Sequence, residues 1–195
     1  MFAVKTAANM FRWFRQSSLD PLSVSMVGAK LGDRLLVVGC GDPKLIAALA
    51  IKAGLTGRAC AVDESAERAA SAGQVALSEG ALVEVSQAPL NALPFDPAAF
   101  DLVILRDVLT PTADDQHLAI IHEAHRVLRS GGRCMVIDTS GARASGLSAL
   151  FKARDTIQES DNANALTELL KTRGFVAVRT LAEREGLVFV EGVNK

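Results

Sequence analysis

The chain has no tyrosine, one tryptophan, three histidines and three cysteines among its 195 residues. Cys40, Cys60 and Cys134 are odd in number, widely spread and not arranged as CxxC. That pattern speaks against a disulfide-built secreted domain and for a reducing compartment such as the cytoplasm. No apolar run has the length needed to span a bilayer, and Lys5, Arg12 and Arg15 interrupt any secretory core at the N-terminus. A basic excess is missing too. With 21 Lys and Arg against 22 Asp and Glu, there is no electrostatic footprint for nucleic acid. Internal repeats and low-complexity stretches are also absent. What is present is a chain 49% hydrophobic and 22% charged. Its length suits one domain that buries a substantial core.

Seven stretches read as strands: about 34–38, 58–62, 82–86, 100–105, 133–138, 175–180 and 187–191. Helical periodicity falls at about 43–54, 65–78, 115–128, 145–158 and 161–173. Strand–helix alternation with continuous apolar strands predicts a mainly parallel sheet covered on both faces. The last two strands, with no helix between them, predict an antiparallel hairpin at the sheet's edge. Upstream, residues 2–16 have helical period, and Asp20-Pro21 reads as an N-cap followed by proline at the first helical position. The expectation is a single domain over 1–195, with a helical N-terminal cap (1–31) on an α/β, Rossmann-like core (32–195).

The turn after the first strand, Gly39-Cys40-Gly41-Asp42-Pro43, stands where a doubly wound sheet holds its ligand. Gly39 and Gly41 permit positive φ and close approach of a ligand to the backbone. Asp42-Pro43 reads as the cap and first residue of the next helix. Asp63 follows Gly39 by 24 residues and ends the second strand, where a carboxylate can take both hydroxyls of a ribose. Serving as N-cap for "SAERAA" is the alternative use of Asp63. A dinucleotide would bring its pyrophosphate to a helix N-terminus that Asp42 makes negative. S-adenosylmethionine (AdoMet) brings no phosphate but a sulfonium and an ammonium, which Asp42 can attract.

Four stretches in this order resemble the class I AdoMet-dependent methyltransferases, in the style of the ubiquinone/menaquinone-biosynthesis type. They are "LLVVGCG" (35–41), "AVDES" (61–65), "NALPFDPAAFDLVILRDVL" (91–109) and "HEAHRVLRSGGRCMVID" (122–138). The resemblance implies a seven-stranded sheet with the last strand antiparallel, and AdoMet as cofactor. It places Gly39 and Gly41 against the methionine moiety and ribose and Asp63 on the ribose hydroxyls, and Cys40, Asp42 and Glu64 complete the expected cofactor pocket. Leu90, Asn91 and Ala92 fall near the adenine, and Arg106 offers its backbone to the methionine amino group. Three positions depart from the pattern. Val37 replaces the usual acid, Pro43 the third glycine, and Pro89 the aspartate that often meets the adenine amino group.

Arg106 and Asp107 leave the sheet at the ligand edge and are the candidates for acting at the methyl acceptor. "LRDVL" lacks the Asn/Asp-Pro-Pro-aromatic stretch of enzymes that methylate adenine N6 or glutamine amides. The expected acceptor is a small molecule. His122-Glu123-Ala124-His125 has one residue too few for the zinc-protease pattern, so His125 reads as a core-edge residue and no metal is expected. The rival readings are a non-catalytic binding module on the same fold and, more remotely, a nicotinamide oxidoreductase. Phe2, Phe11, Phe14 and Trp13 crowd the N-terminal helix. A lid, a core helix and a membrane-surface helix are its three readings.

Overall fold

The computed structural model describes residues 19–109, 114–139, 155–184 and 186–195. The N-terminal helix expected at 2–16 and most of the one expected at 145–158 lie outside those residues. Helix α1 (Pro21–Val27) opens on Asp20, whose carboxylate accepts from Leu22 N at 3.0 Å and Ser23 N at 2.9 Å. These bonds satisfy two of the helix's orphan donors. Gly28 then stops it at φ +58°, a conformation that glycine takes without penalty.

From there strand and helix alternate: β1 (Arg34–Val38), α2 (Pro43–Ala53), β2 (Arg58–Asp63), α3 (Ala66–Ser78), β3 (Glu84–Gln87) and β4 (Phe100–Arg106). They continue as α4 (Asp114–Val127), β5 (Leu128–Thr139), α5 (Asp155–Thr172), β6 (Val176–Arg184) and β7 (Leu187–Val193). The seven strands form one sheet in the order β3-β2-β1-β4-β5-β7-β6. All pairings are parallel except those of β7, which runs antiparallel between β5 and β6.

Side chains alternate across the sheet with the strand period of two. Leu36, Val38, Val62, Val103, Leu105 and Val136 face one side, against Ile121 and Ala124 of α4 and Leu166 and Leu170 of α5. Leu35, Val37, Ala61, Leu102, Ile104 and Ile137 face the other, against α1, α2 and α3. With both faces covered, the inner strands need apolar residues at every position, which is why they read as continuous runs. Each fully buried Leu, Ile or Val contributes about 1.5–3 kcal/mol. No helix among the described residues is long and apolar enough to cross a membrane.

Several boundaries differ from expectation, among them the end of the sixth strand, which runs on to Arg184 instead of stopping at 180. The fifth strand begins at Leu128, not 133, because Leu128 pairs with Phe100 across an irregularity before Leu102 and Arg133 resume the ladder. The third begins at Glu84, since Leu82 is 71% exposed and lies outside the sheet. The expected break near 159–160 is absent: α5 runs unbroken from Asp155. That stretch holds polar residues but no glycine or proline to end a helix.

On β7, Glu191 is 5% exposed and takes Arg133 Nη1 at 3.0 Å and Arg179 Nη2 at 2.8 Å. Arg133 also donates to Gly28 O at 2.9 Å, tying the end of α1 to the far half of the sheet.

Candidate functional site

Strand order reverses between β1 and β4, because the chain runs outward through β2 and β3 before returning to β1's other flank. The crevice beyond their C-terminal ends is where such sheets bind ligands. Gly39 leaves β1 at φ +95°. A Cβ there would stand 2.4 Å from Arg106 O and 2.6 Å from Val108 Cγ1, so any side chain would force the ends of β1 and β4 apart. Gly41 behaves differently. It is not among the positive-φ glycines, and a Cβ on it would meet nothing within 4 Å. Open space therefore lies over the second glycine. Asp42 caps α2 as its sequence predicts, accepting Leu45 N at 3.1 Å with Pro43 at the first helical position.

Asp63 is 2% exposed at the end of β2. Its Oδ2 accepts from Cys40 N at 2.7 Å and Arg68 Nε at 2.9 Å. Its Oδ1 accepts from Ser65 N at 2.8 Å and Arg68 Nη2 at 2.7 Å. A carboxylate offers about four lone-pair sites, and these donors fill them. Burial alone would raise the Asp63 carboxyl, but Arg68 and the two backbone N–H groups outweigh it and hold it below its ordinary value. Ser65, not Asp63, is the N-cap of α3, accepting Arg68 N at 3.3 Å. Asp63 thus fastens the glycine turn to β2 through the Cys40 N–H. Cys40 itself is buried, and burial followed by the Asp63 charge pushes its thiol up to about 12, so it stays protonated.

Beside this junction is a cleft of about 280 Å³ lined by Glu64, Gln87, Ala88 and Pro89. Glu64 is exposed at the rim, and its Oε1 accepts Leu90 N at 3.3 Å. Leu90 is buried in the core, whereas Asn91 and Ala92 are exposed. The segment carrying them is latched from α4. Glu123 Oε2 accepts Leu93 N at 2.7 Å, and Arg126 binds Glu123 while donating to Leu93 O at 3.0 Å and Phe95 O at 2.8 Å. The Glu of the His-Glu-Ala-His stretch is therefore a loop anchor. His125 packs edge-on against Phe175 at 5.1 Å, a core-edge residue as the sequence predicts.

Opposite the cleft, Arg106 ends β4 with its side chain 11% exposed. Nη2 lies 4.0 Å from Asp42 Oδ2, and Nη1 lies 2.9 Å from Asp107 Oδ2. That second contact is an ion pair without hydrogen-bond geometry, and both Nε and Nη1 are inaccessible to water and bonded to no acceptor. Asp107 adopts φ +52°, and its Oδ1 accepts Thr139 N at 3.0 Å, which joins the ends of β4 and β5. The crevice thus gathers Gly39 to Asp42, Asp63, Glu64, Leu90 and the pair Arg106–Asp107. Arg68, Glu123 and Arg126 belong to it as well; Glu123 and Arg126 lie in the 122–138 stretch, but nothing there assigns them this role. Their visible signals are only helical spacings: Arg68 three residues after a capping serine, and Glu123 three before Arg126.

A family model described as "Methyltransferase domain" matches residues 36–136. Among curated proteins, the chain is 33% identical over 128 residues to a chloroplastic 2-phytyl-1,4-beta-naphthoquinone methyltransferase of Arabidopsis thaliana, covering 64% of this chain and 48% of that one. It is 31% identical over 120 residues to a demethylmenaquinone methyltransferase of Bacillus subtilis, covering 60% and 50%. The chain spans about half the length of these curated relatives. Among solved structures, a SAM-dependent methyltransferase from Aquifex aeolicus superposes with a TM-score of 0.73 at 19% identity, over 96% of this chain and 98% of that one. That likeness concerns the fold. The domain match, which spans more than half of the 195 residues and takes in the glycine turn, Asp63 and Arg106, shows that the chain belongs to the methyltransferase domain family.

Proposed function

We propose that the chain transfers a methyl group from AdoMet to a small-molecule acceptor. The observation that carries this is the junction at the switch point: a glycine turn with open space over Gly41, bonded through Cys40 N to the carboxylate that ends β2, beside a cleft under Glu64. The residues fit the cofactor. The cleft at Glu64, Ala88 and Pro89 takes the adenine, with Glu64 standing in for the acid absent at Pro89 as acceptor for the amino group. Asp63 takes the ribose diol after Arg68, whose side chain is 57% exposed, swings out. The exchange keeps the Cys40 and Ser65 N–H groups on the buried carboxylate, and the two hydroxyls replace the two bonds that Arg68 gives up.

When bound, the cofactor supplies an electrophilic methyl carbon on a sulfonium. The chain's own task is then positioning and exclusion of water, which can account for most of the acceleration of an in-line displacement. The glycine turn fixes the donor, Glu123 and Arg126 hold the 88–97 segment over it, and Asp107 orients Arg106 at the acceptor side. The two curated relatives carry naphthoquinone and demethylmenaquinone in their names, so naphthoquinone-type rings are the first acceptors to assay. Calorimetric titration with AdoMet, S-adenosylhomocysteine and NADPH tests the reading. The first two should bind with one site each and NADPH should give no heat. Binding of NADPH, or of none of the three, overturns it.

A further inference from the structure

Parallel strands put the loops that lead into them at one edge of the sheet, opposite the crevice at their C-terminal ends. β1, β2 and β3 are neighbours, so the loops entering them stand in a row. Each presents a leucine to solvent. Leu31, Leu55 and Leu82 are more than two-thirds exposed, as is Leu77 in the last turn of α3, and Ile51 in the last turn of α2 is more than half exposed. The other two large apolar side chains exposed among the described residues, Leu19 and Val176, are each less than half exposed. Soluble proteins rarely leave such a concentration of apolar surface uncovered.

The row is one fixed surface. Gly32 N donates to Ala53 O at 2.8 Å and Arg58 N to Asp33 O at 3.1 Å, which ties the first loop to the second. A Cβ on Gly54 would stand 2.6 Å from Leu31 Cδ1, so Leu31 lies against the loop that carries Leu55. Arg58 then bonds both oxygens of Glu84 at the foot of β3. Covering a surface already in place costs little ordering entropy. Charge is sorted along it. Arg34 closes on Asp101 and Arg58 on Glu84, which leaves Lys30 exposed beside Leu31 at one end and Glu79 exposed between Leu77 and Leu82 at the other.

A row that is apolar in the middle and oppositely charged at its ends is complementary to itself when turned about a two-fold axis. We propose that it pairs with the same row on a second copy of the chain. The axis passes the middle loop, so Leu55 meets its own counterpart, Leu31 meets Leu82 of the partner subunit, and Lys30 faces Glu79 of the partner subunit. Both crevices then stay open at the outer ends of the dimer. A bilayer is the poorer match, because Asp33 and Glu79 stand among the leucines and docking there would hold the crevice away from lipid.

Sedimentation equilibrium on the full chain should give a mass near twice 20.6 kDa. Leu55→Glu sets like charges face to face at the axis and should weaken the dimer about 10- to 100-fold, with AdoMet binding and the unfolding midpoint at wild-type values. Lys30→Glu and Glu79→Lys should each weaken it, and the two together should restore it. A single-chain mass throughout the micromolar range overturns the proposal, whether or not the protein then binds vesicles of anionic lipid. A dimer that Leu55→Glu leaves intact overturns it as well, because the contact then lies elsewhere. A paired charge reversal no tighter than either single one rejects the two-fold register, and the proposal with it.

Discussion

Two arginines frame the pocket, Arg68 bonded to both oxygens of Asp63 and Arg106 ion-paired with Asp107 at the end of β4. Arg68 occupies both oxygens of Asp63; the arginine is more than half exposed but the carboxylate is 2% exposed, so removing the arginine should cost about 1–3 kcal/mol of stability. Arg68→Ala should tighten AdoMet severalfold, because the ribose no longer competes for Asp63; weaker binding in titration would show that Arg68 itself serves the ligand. Asp63→Ala removes the partner of the buried Cys40 N–H. The stranded donor should cost about 1–3 kcal/mol by urea unfolding. AdoMet affinity in the folded variant should also fall about tenfold or more. Unchanged affinity there would remove Asp63 from the ribose site.

Among the elements, the 88–97 segment is anchored to α4 at Leu93 and Phe95 by one carboxylate and one guanidinium. Glu123→Ala strands Leu93 N and a partly buried Arg126, and should cost about 2–4 kcal/mol. Hydrogen exchange should quicken over residues 90–96 more than in β1; uniform quickening would mean global destabilisation instead. The strands themselves were legible in the sequence, because a sheet covered on both faces writes itself as apolar runs such as Leu35–Val38 and Leu102–Leu105. The glycine turn, both aspartate caps and the carboxylate at the end of β2 were legible for the same kind of reason: each rests on local backbone chemistry. Arg68 and Glu123 were not. Their roles depend on where a long side chain reaches across to another element, and helical spacing alone does not reveal that. The continuity of α5 was not legible, because the polar run from Gln158 to Asn162 carries no apolar periodicity.

For the molecule as a whole, the ionisable groups define a pH window. Glu123 is held below its ordinary value by Arg126, while Asp63, Asp101 and Glu191 are held low by arginines that outweigh their burial. A carboxyl depressed on folding stabilises above its unfolded pKa, and that contribution is lost as pH falls through the folded value. These four should therefore fail below about 4. His125, lowered chiefly by burial, has the same sign and acts first, from its ordinary 6.5 downward. The thiols of Cys40 and Cys134, pushed up to about 12 by burial, have the opposite sign. Their contribution is complete below 9.0 and is lost as pH rises toward 12. The urea midpoint should be flat from about 7 to 9 and fall on both sides; a steady decline through neutrality would contradict this assignment.

The strand that comes last in chain order, β7, is not at the edge but is threaded between β5 and β6. During synthesis, β5 therefore emerges with one flank unpaired, and β6 has no sheet to join, until residues 187–193 clear the ribosome. From the completion of β5 at Thr139 until then, the nascent chain exposes an aggregation-prone strand edge. Its first five strands can assemble early, but closure of the sheet waits for residues 187–193.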